Sequence, residues 1–272
     1  MGKFDGYLMC TDCDGTLTYE AGKVSKENVE AIRYFQEEGG LFTLATGRSP
    51  AFAKEFADMV DFNAPLITLG GTVLYDFYAD KIIKEWTASR ENAFLVFDHV
   101  RKNWGDVLQY WLNYDENNSV GYNPHEHQAG DNSLRELFDT LPERMNKMLI
   151  FQPSDVTPFV QKDLKERFGD KFRFDTSWSE GIEVQSIKSG KGIAVDYMKK
   201  HLGKNIHTTI GVGDYENDIN LLECADIGYA VGNAIDSVKA VADRVTVKNT
   251  EHALKAIIED IERDIDEGNT NK

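Results

Sequence analysis

The sequence predicts an α/β protein in which a doubly wound parallel sheet is interrupted by a separate α+β unit. Three observations carry this. Short apolar runs alternate with amphipathic helical stretches through residues 1–83, the pattern changes over 84–187, and the first alternation returns over 188–272. Strand and helix in alternation with short connections give parallel sheets with helices on both faces. A stretch of about a hundred residues with strands and helices of its own is large enough to fold as a unit. The expected organisation is therefore a core in two parts, 1–83 and 188–272, around an insert at 84–187.

Tyr7 to Cys10 reads as the first strand. Ser25 caps a helix that presents Val29, Ile32 and Phe35 on one face and stops at Gly39-Gly40. Leu41 to Ala45 is the second strand, and Ser49-Pro50 is an N-cap followed by proline at the first helical position. Pro65 to Leu69 and Thr72 to Tyr75 are extended around Gly70-Gly71. The insert reads as a helix from Ser89 to Trp104, a strand at Val107 to Tyr114 and a polar loop at Asp115 to Asn132. A helix near Leu134 to Leu141, a strand at Lys147 to Phe151 and a helix near Val156 to Phe168 follow, and two short strands, Lys171 to Asp175 and Gly181 to Val184, close it. The core then resumes: helix at Lys191 to His201, strand at Thr208 to Val212, helix at Ile219 to Cys224, strand at Ile227 to Val231. A helix at Ala234 to Ala242, a strand at Arg244 to Val247 and a helix at Glu251 to Ile265 end it, and Glu267 to Lys272 reads as a frayed tail.

The chain has 272 residues, 41% apolar and 28% charged, with 46 acidic against 30 basic residues and a net charge of −16. A field of that sign repels phosphate backbones and anionic lipid, which argues against nucleic acid and membrane partners. An anion site in such a protein has to carry local positive charge or a metal. The three cysteines, Cys10, Cys13 and Cys224, make no disulfide framework. Without a secretion signal or an apolar run of membrane-spanning length, the expectation is a cytoplasmic protein, and Asn117-Asn118-Ser119 is a chance sequon. Oligomeric state has no signature here.

Ligands of a doubly wound sheet lie outside the carboxyl ends of its strands. Asp12 and Asp14 follow the first strand, Thr46, Gly47 and Arg48 the second, and Gly213, Asp214, Asn217 and Asp218 the strand at 208–212, while Lys191 opens a helix after Ser189-Gly190. If the strands are parallel neighbours, these groups meet on one edge. Carboxylates bind a hard cation such as Mg²⁺, and a lysine and a threonine hydroxyl donate to phosphoryl oxygens. An aspartate is also a nucleophile toward phosphorus. Carboxylate and phosphate repel by about 1 kcal/mol per unit-charge pair at 4 Å in water and several-fold more near a protein surface. A divalent cation and the lysine remove that obstacle. A second carboxylate can protonate the departing alkoxide and later activate water. Asp12 and Asp14 can divide the labour in this way, with Gly15 letting the backbone turn around the phosphate.

Asp12-Cys13-Asp14-Gly15-Thr16 resembles the first motif of the haloacid-dehalogenase-like (HAD) hydrolases, and Thr46-Gly47-Arg48 the second motif of their Cof-like branch. Ile182-Glu183-Val184 with Ser189-Gly190-Lys191-Gly192 resembles the segment of the third-motif lysine. Gly213-Asp214-Tyr215-Glu216-Asn217-Asp218 resembles the fourth motif, and Ala230-Val231-Gly232-Asn233-Ala234 a further family stretch. The resemblance covers both parts of the core, and the insert fits the branch's α/β cap. It implies a Rossmannoid core carrying a Mg²⁺-dependent phosphatase of a small phosphorylated metabolite, a sugar phosphate above all. Asp12 would be the nucleophile and Asp14 the general acid/base. Thr46, Gly47, Lys191 and Asn217 would bind phosphate. The metal ligands would be Asp12, Asp14 through its main-chain carbonyl, Asp214 and Asp218, the last directly or behind the others. The cap would close over the site and choose the leaving group. One departure is plain: Gly70-Gly71 stands where the branch commonly has Asn-Gly, so any contact from that asparagine is absent.

Each feature has a plainer reading. Aspartates at a strand end serve turns, a threonine before Ser49-Pro50 serves as a cap, and most lysines on helices are solvated. Asp218 suits a helix N-terminus whatever its chemistry. Arg48 can bind phosphate or pair with an acid. Gly190-Lys191-Gly192 lacks the spacing of a P-loop, and His125 and His127 have no neighbouring ligands for a metal. Trp104, Tyr110 and Trp111 suit the cap's own core, and the acidic stretch Glu259 to Glu267 suits a solvated face. A phosphomutase shares the first motif and differs by returning the phosphoryl group to a sugar hydroxyl. A phospho-acceptor module of the response-regulator kind clusters similar groups, but in a single small domain with no insert, and a binding protein would leave the acids without chemistry.

Overall fold

The computed structural model describes residues 2–20, 22–105, 107, 109–112, 120–122, 138–203 and 205–268. Residues 115–119 and 123–132 of the expected polar loop lie outside that set. So do His125, His127, residues 134–137 of the helix expected near Leu134 to Leu141, and residues 269–272. The strands in chain order are β1 (Tyr7–Thr11), β2 (Leu41–Leu44), β3 (Leu66–Thr68), β4 (Val73–Asp76), β5 (Lys81–Glu85), β6 (Ala88–Ser89), β7 (Gln109–Leu112), β8 (Val120–Tyr122), β9 (Arg144–Met145), β10 (Lys147–Phe151), β11 (Phe172–Trp178), β12 (Gly181–Ser186), β13 (Thr208–Gly213), β14 (Ile227–Ala230) and β15 (Arg244–Val245). The chain divides into two compact units: Met1–Lys84 with Gly190–Lys272, and Glu85–Ser189.

The first unit is built on a five-stranded sheet in the order β15-β14-β13-β1-β2. Every pairing in it is parallel. β1 is the middle of this arrangement: Cys10 sits across from Gly211 on one side and Thr43 on the other. Tyr7 to Thr11 are all buried, as an unbroken apolar run in a parallel sheet covered on both faces requires. A parallel bridge from Ala45 to Ile67 extends the sheet toward β3, which pairs antiparallel with β4. The expected parallel sheet is present, and the extended segments around Gly70-Gly71 form an antiparallel connection whose third strand, β5, has no alternating pattern to announce it.

Helix Lys26–Glu37 starts at Ser25, whose hydroxyl accepts the Asn28 N–H at 3.3 Å, and buries Ile32 and Phe35. Helix Ala253–Asp266 buries Leu254, Ile257, Ile258 and Ile261. Its acids are not a plain solvated face. Asp260 accepts from the Tyr229 hydroxyl at 2.6 Å and from Arg244 at 2.8 Å, Asp264 pairs with Arg244 at 2.6 Å, and Glu262 pairs with Lys3 at 2.8 Å. The periodicity of the stretch marks its apolar side but cannot show that distant basic residues meet its acidic one.

The second unit holds a sheet in the order β11-β12-β10-β7-β8, with every pairing antiparallel. Its apolar face packs on helices Arg90–Trp104 and Thr157–Phe168, in a core that includes Val96, Phe97, Met148, Ile150, Val160, Leu164, Phe174, Ile182 and Val184. Two expectations change here. Val120 to Tyr122, read as loop, is an edge strand on β7, and Ala88–Ser89 pairs with Arg144–Met145. Strands this short give too few residues for a period of two to register. Helix Thr157–Phe168 lies against the other helix through Asp163, which accepts from His99 Nε2 at 2.6 Å and Trp104 Nε1 at 2.7 Å.

Candidate active site

The loops after β1, β2 and β13 and the start of helix Lys191–His201 all belong to the first unit, and they bring their side chains together. β1 ends at Thr11, and the Asp12 N–H still donates to the Val212 carbonyl at 2.8 Å, so Asp12 is the first residue to leave the sheet. Gly15 then turns at φ +82°, in the left-handed region. A Cβ built there would sit 2.5 Å from an Asp214 carboxylate oxygen, so only glycine lets this loop lie against Asp214. The Thr16 hydroxyl donates to the same carboxylate at 2.9 Å.

Lys191 is fully buried, which rules out the solvated-lysine reading. Its Nζ lies 2.6 Å from Asp12 Oδ1 and also donates to Asp218. The second Asp218 oxygen accepts the Asp214 N–H at 3.0 Å and the Tyr215 N–H at 3.2 Å, which folds the loop after β13 back on itself. The lysine is delivered by a close backbone approach. Gly71, at φ +91°, passes the Gly190 carbonyl with no room for a side chain. The Gly190 N–H donates to the Gly71 carbonyl at 3.4 Å.

The electrostatics follow from crowding. Burial pushes the Asp12 carboxyl well above the usual range, and the Asp218 and Asp214 charges push the same way against the pull of Lys191. Burial and Asp218 raise Asp214 to about 6. Burial opposes the Lys191 charge, but Asp12 and Asp218 outweigh it and hold the ammonium firmly protonated. Carboxylate oxygens of Asp12, Asp214 and Asp218 lie within 4.8 Å of one another. One ammonium cannot balance three carboxylates, and this shortage of positive charge adds to burial in raising Asp12 and Asp214. An all-oxygen donor set of two buried carboxylates and one half-buried, short of positive charge, fits a hard divalent cation. The Asp14 carboxylate stands outside this trio.

Arg48 holds Asp14 instead, with Nε to Oδ2 and Nη2 to Oδ1 both at 2.8 Å. The Thr46 hydroxyl accepts the Arg48 N–H at 3.1 Å, and Gly47 lies between them. Asn217 is buried in the turn Glu216–Asp218, one residue before Asp218. Beside the Asp14–Arg48 pair a cleft of about 650 Å³ opens, with Tyr19, Lys23, Phe56 and Met59 in its wall. Two residues that sequence reasoning left without a role fix the first loop. Asn233 Nδ2 donates to the Gly15 carbonyl at 2.8 Å, and Asn249 donates its N–H to Asn233 Oδ1 at 2.9 Å and its Nδ2 to the Thr18 carbonyl at 2.9 Å. Asn233 sits in the Gly232-Asn233-Ala234 stretch noted from sequence, whereas nothing around Asn249 marks it.

The sequence matches the profile of the haloacid dehalogenase-like hydrolases over residues 9–258. The chain belongs to this family. Among its curated relatives is the Bacillus subtilis 5-amino-6-(5-phospho-D-ribitylamino)uracil phosphatase YcsE, 26% identical over 254 residues that cover 92% of this chain and 94% of that protein. Another is the Escherichia coli pyridoxal phosphate phosphatase YbhA, 24% identical over 266 residues, 92% of this chain and 97% of that one. Among solved structures the subclass IIB sugar phosphatase BT4131 superposes with a TM-score of 0.75 at 22% identity, covering 93% of this chain and 98% of its own. The protein is thus a HAD-fold phosphatase with a Rossmannoid core and an inserted α+β unit. Among the described residues no helix is long and apolar enough to cross a membrane.

Proposed function

We propose that this phosphatase is Mg²⁺-dependent and acts on a small phosphorylated metabolite, a sugar phosphate in our reading, through an aspartyl-phosphate on Asp12. The observation that supports this best is the buried meeting of Asp12, Lys191, Asp214 and Asp218 at the carboxyl ends of β1 and β13. Asp12 attacks phosphorus and the bond to the leaving-group oxygen breaks. Asp14 gives that oxygen a proton, then takes one from the water that hydrolyses the aspartyl-phosphate and returns Asp12 to its carboxylate. Lys191, the Thr46 hydroxyl, the Gly47 backbone and Asn217 hold the phosphoryl oxygens. Asp12, Asp214 and the Asp14 main-chain carbonyl, with Asp218 beside them, would hold Mg²⁺, which would supply the positive charge that lets a carboxylate approach a phosphate dianion.

The named relatives are phosphatases of a phosphoribitylamino-uracil and of pyridoxal phosphate, and BT4131 is a sugar phosphatase, which supports a small phosphorylated organic molecule here. The cytoplasmic reading rests on three free thiols, Cys10 and Cys13 buried and Cys224 half-buried. The test is phosphate release from a panel of sugar phosphates with Mg²⁺ and with a chelator. Asp12→Asn should lose turnover by about a thousandfold or more. Equal hydrolysis by the variant and the intact enzyme refutes Asp12 as nucleophile, and undiminished turnover in the chelator refutes the metal.

A further inference from the structure

Arg48 stands out because both of its terminal contacts go to one carboxylate that lies outside the acidic trio. The Asp14 side chain is 56% exposed and that of Arg48 34%. A pair this open adds little to folding, about 0–1 kcal/mol, so stability does not account for so complete a two-point contact. The surroundings constrain the arginine closely. Its guanidinium carbon lies 5.2 Å from the centre of the Phe56 ring, and Phe56 is buried. Its N–H donates to Thr46 Oγ1 at 3.1 Å, and its carbonyl accepts the Leu69 N–H at 2.9 Å. The fork is thus presented from a fixed backbone and a fixed aromatic wall. The Asp14 main chain is fixed by its bridge to Thr18, and its carboxylate is fixed by Arg48.

We propose that Arg48 is a positioning residue for Asp14. Its planar two-point grip fixes where the carboxylate oxygens stand, and so where a proton is given to or taken from the oxygen at phosphorus. This rests on the reading of Asp14 as the acid/base group. A carboxylate must come within about 2.6–3.2 Å of the atom it serves, and a rotor that wanders loses the advantage of being pre-oriented. The same grip ties the loop after β1 to the loop after β2, so the acid/base group and the Thr46 hydroxyl keep a set spacing. Lysine is a poor substitute because it offers a point charge in place of a fork.

The experiment measures kcat and KM with Mg²⁺ for an alkyl phosphate, such as a hexose 6-phosphate, and for p-nitrophenyl phosphate, whose leaving group departs without a proton. The proteins are wild type, Arg48→Met, Arg48→Lys, Asp14→Asn and the Arg48→Met/Asp14→Asn pair. Arg48→Met should melt with the wild type and lower kcat on the alkyl phosphate by about 10- to 100-fold, part of what a general acid contributes. The loss should appear in kcat/KM for the alkyl phosphate, whereas kcat/KM for the aryl phosphate, which reports only departure of the leaving group, should stay within about threefold; a fall in aryl kcat reports the hydrolysis of the aspartyl-phosphate that Asp14 also serves. Arg48→Lys should recover only part of the loss. In the Asp14→Asn background the arginine should no longer matter, because residues acting as one unit are not additive. Equal losses of kcat/KM on both substrates, an alkyl loss confined to KM, or full additivity with an impaired Asp14→Asn overturns the inference and leaves the acid/base reading standing. An Asp14→Asn enzyme with normal alkyl turnover removes the acid/base reading and the inference together.

Discussion

Replacing Lys191 by methionine keeps most of the side-chain volume and removes the ammonium that Asp12 and Asp218 share. At 2.6 Å from Asp12 and an effective dielectric constant of about 20, the lost attraction is about 6 kcal/mol, and the contact with Asp218 adds a similar amount. Against it stands the return of a buried ammonium's hydration, several kcal/mol. Breaking a buried pair by deleting one partner costs about 3–5 kcal/mol, because the other charge stays behind. The deficit depends on pH with a definite sign. Asp12 is already raised by burial, and without the ammonium it rises further. Between the ordinary aspartate value of about 3.9 and this raised value, the folded chain binds more protons than the unfolded one. The variant therefore loses stability as pH rises through that window, at about 1.4 kcal/mol per unit for each such group. Urea unfolding of both proteins in a chelator at pH 5, 6.5 and 8 measures it. We expect the gap to widen from pH 5 to pH 8 and to approach 3–5 kcal/mol. A gap under about 1 kcal/mol at pH 8, or one that does not change with pH, refutes the description of this cluster as a charge-crowded buried site.

Two further outcomes follow from geometry outside the acidic cluster. Burial works against the Asp163 charge, but hydrogen bonds from His99, Trp104 and Arg167 outweigh it and hold the carboxyl at about 2. Its contribution is present above about pH 4 and is lost as pH falls toward 2. After allowance for partial exposure, Asp163→Asn should cost about 1–2 kcal/mol in urea unfolding at pH 7, with the gap closing below pH 4; a pH-independent gap refutes the linkage. Gly71→Ala places a methyl group onto the Gly190 carbonyl at a positive φ. It should lower stability by about 2 kcal/mol or more and reduce kcat by displacing Lys191; a melting temperature and kcat both unchanged refute that close approach as the element that sets Lys191.

The sheet and its edge were legible because they rest on local patterns that the tertiary structure did not override. Tyr7 to Thr11 is too apolar to be anything but a covered strand, and the groups at Asp12, Thr46 and Asp214 follow their strands within one or two residues. What local pattern cannot supply is distance between remote segments. Sequence leaves Arg48 open between phosphate and a carboxylate, whereas the fold sets it 2.8 Å from Asp14. Asn249 reaches the Thr18 carbonyl across 231 positions of chain, and Arg244 gathers Asp260 and Asp264 from a helix whose sequence suggested solvent. The short strands at 88–89, 120–122 and 144–145 escaped because two or three residues pair for reasons of register, not of composition.

β1 has a timing consequence. Tyr7 is opposite Thr208, so one flank of the strand that delivers Asp12 has no partner until about 200 further residues have been made. At about 5–20 residues per second that interval lasts about 10–40 s. Lys191, Asp214 and Asp218 arrive in the same late stretch, so a nascent polypeptide holds Asp12, the proposed nucleophile, long before it holds the groups that surround it. Activity therefore arises in a single late step, and chains cut short near Ser189 should be inert toward every phosphate ester.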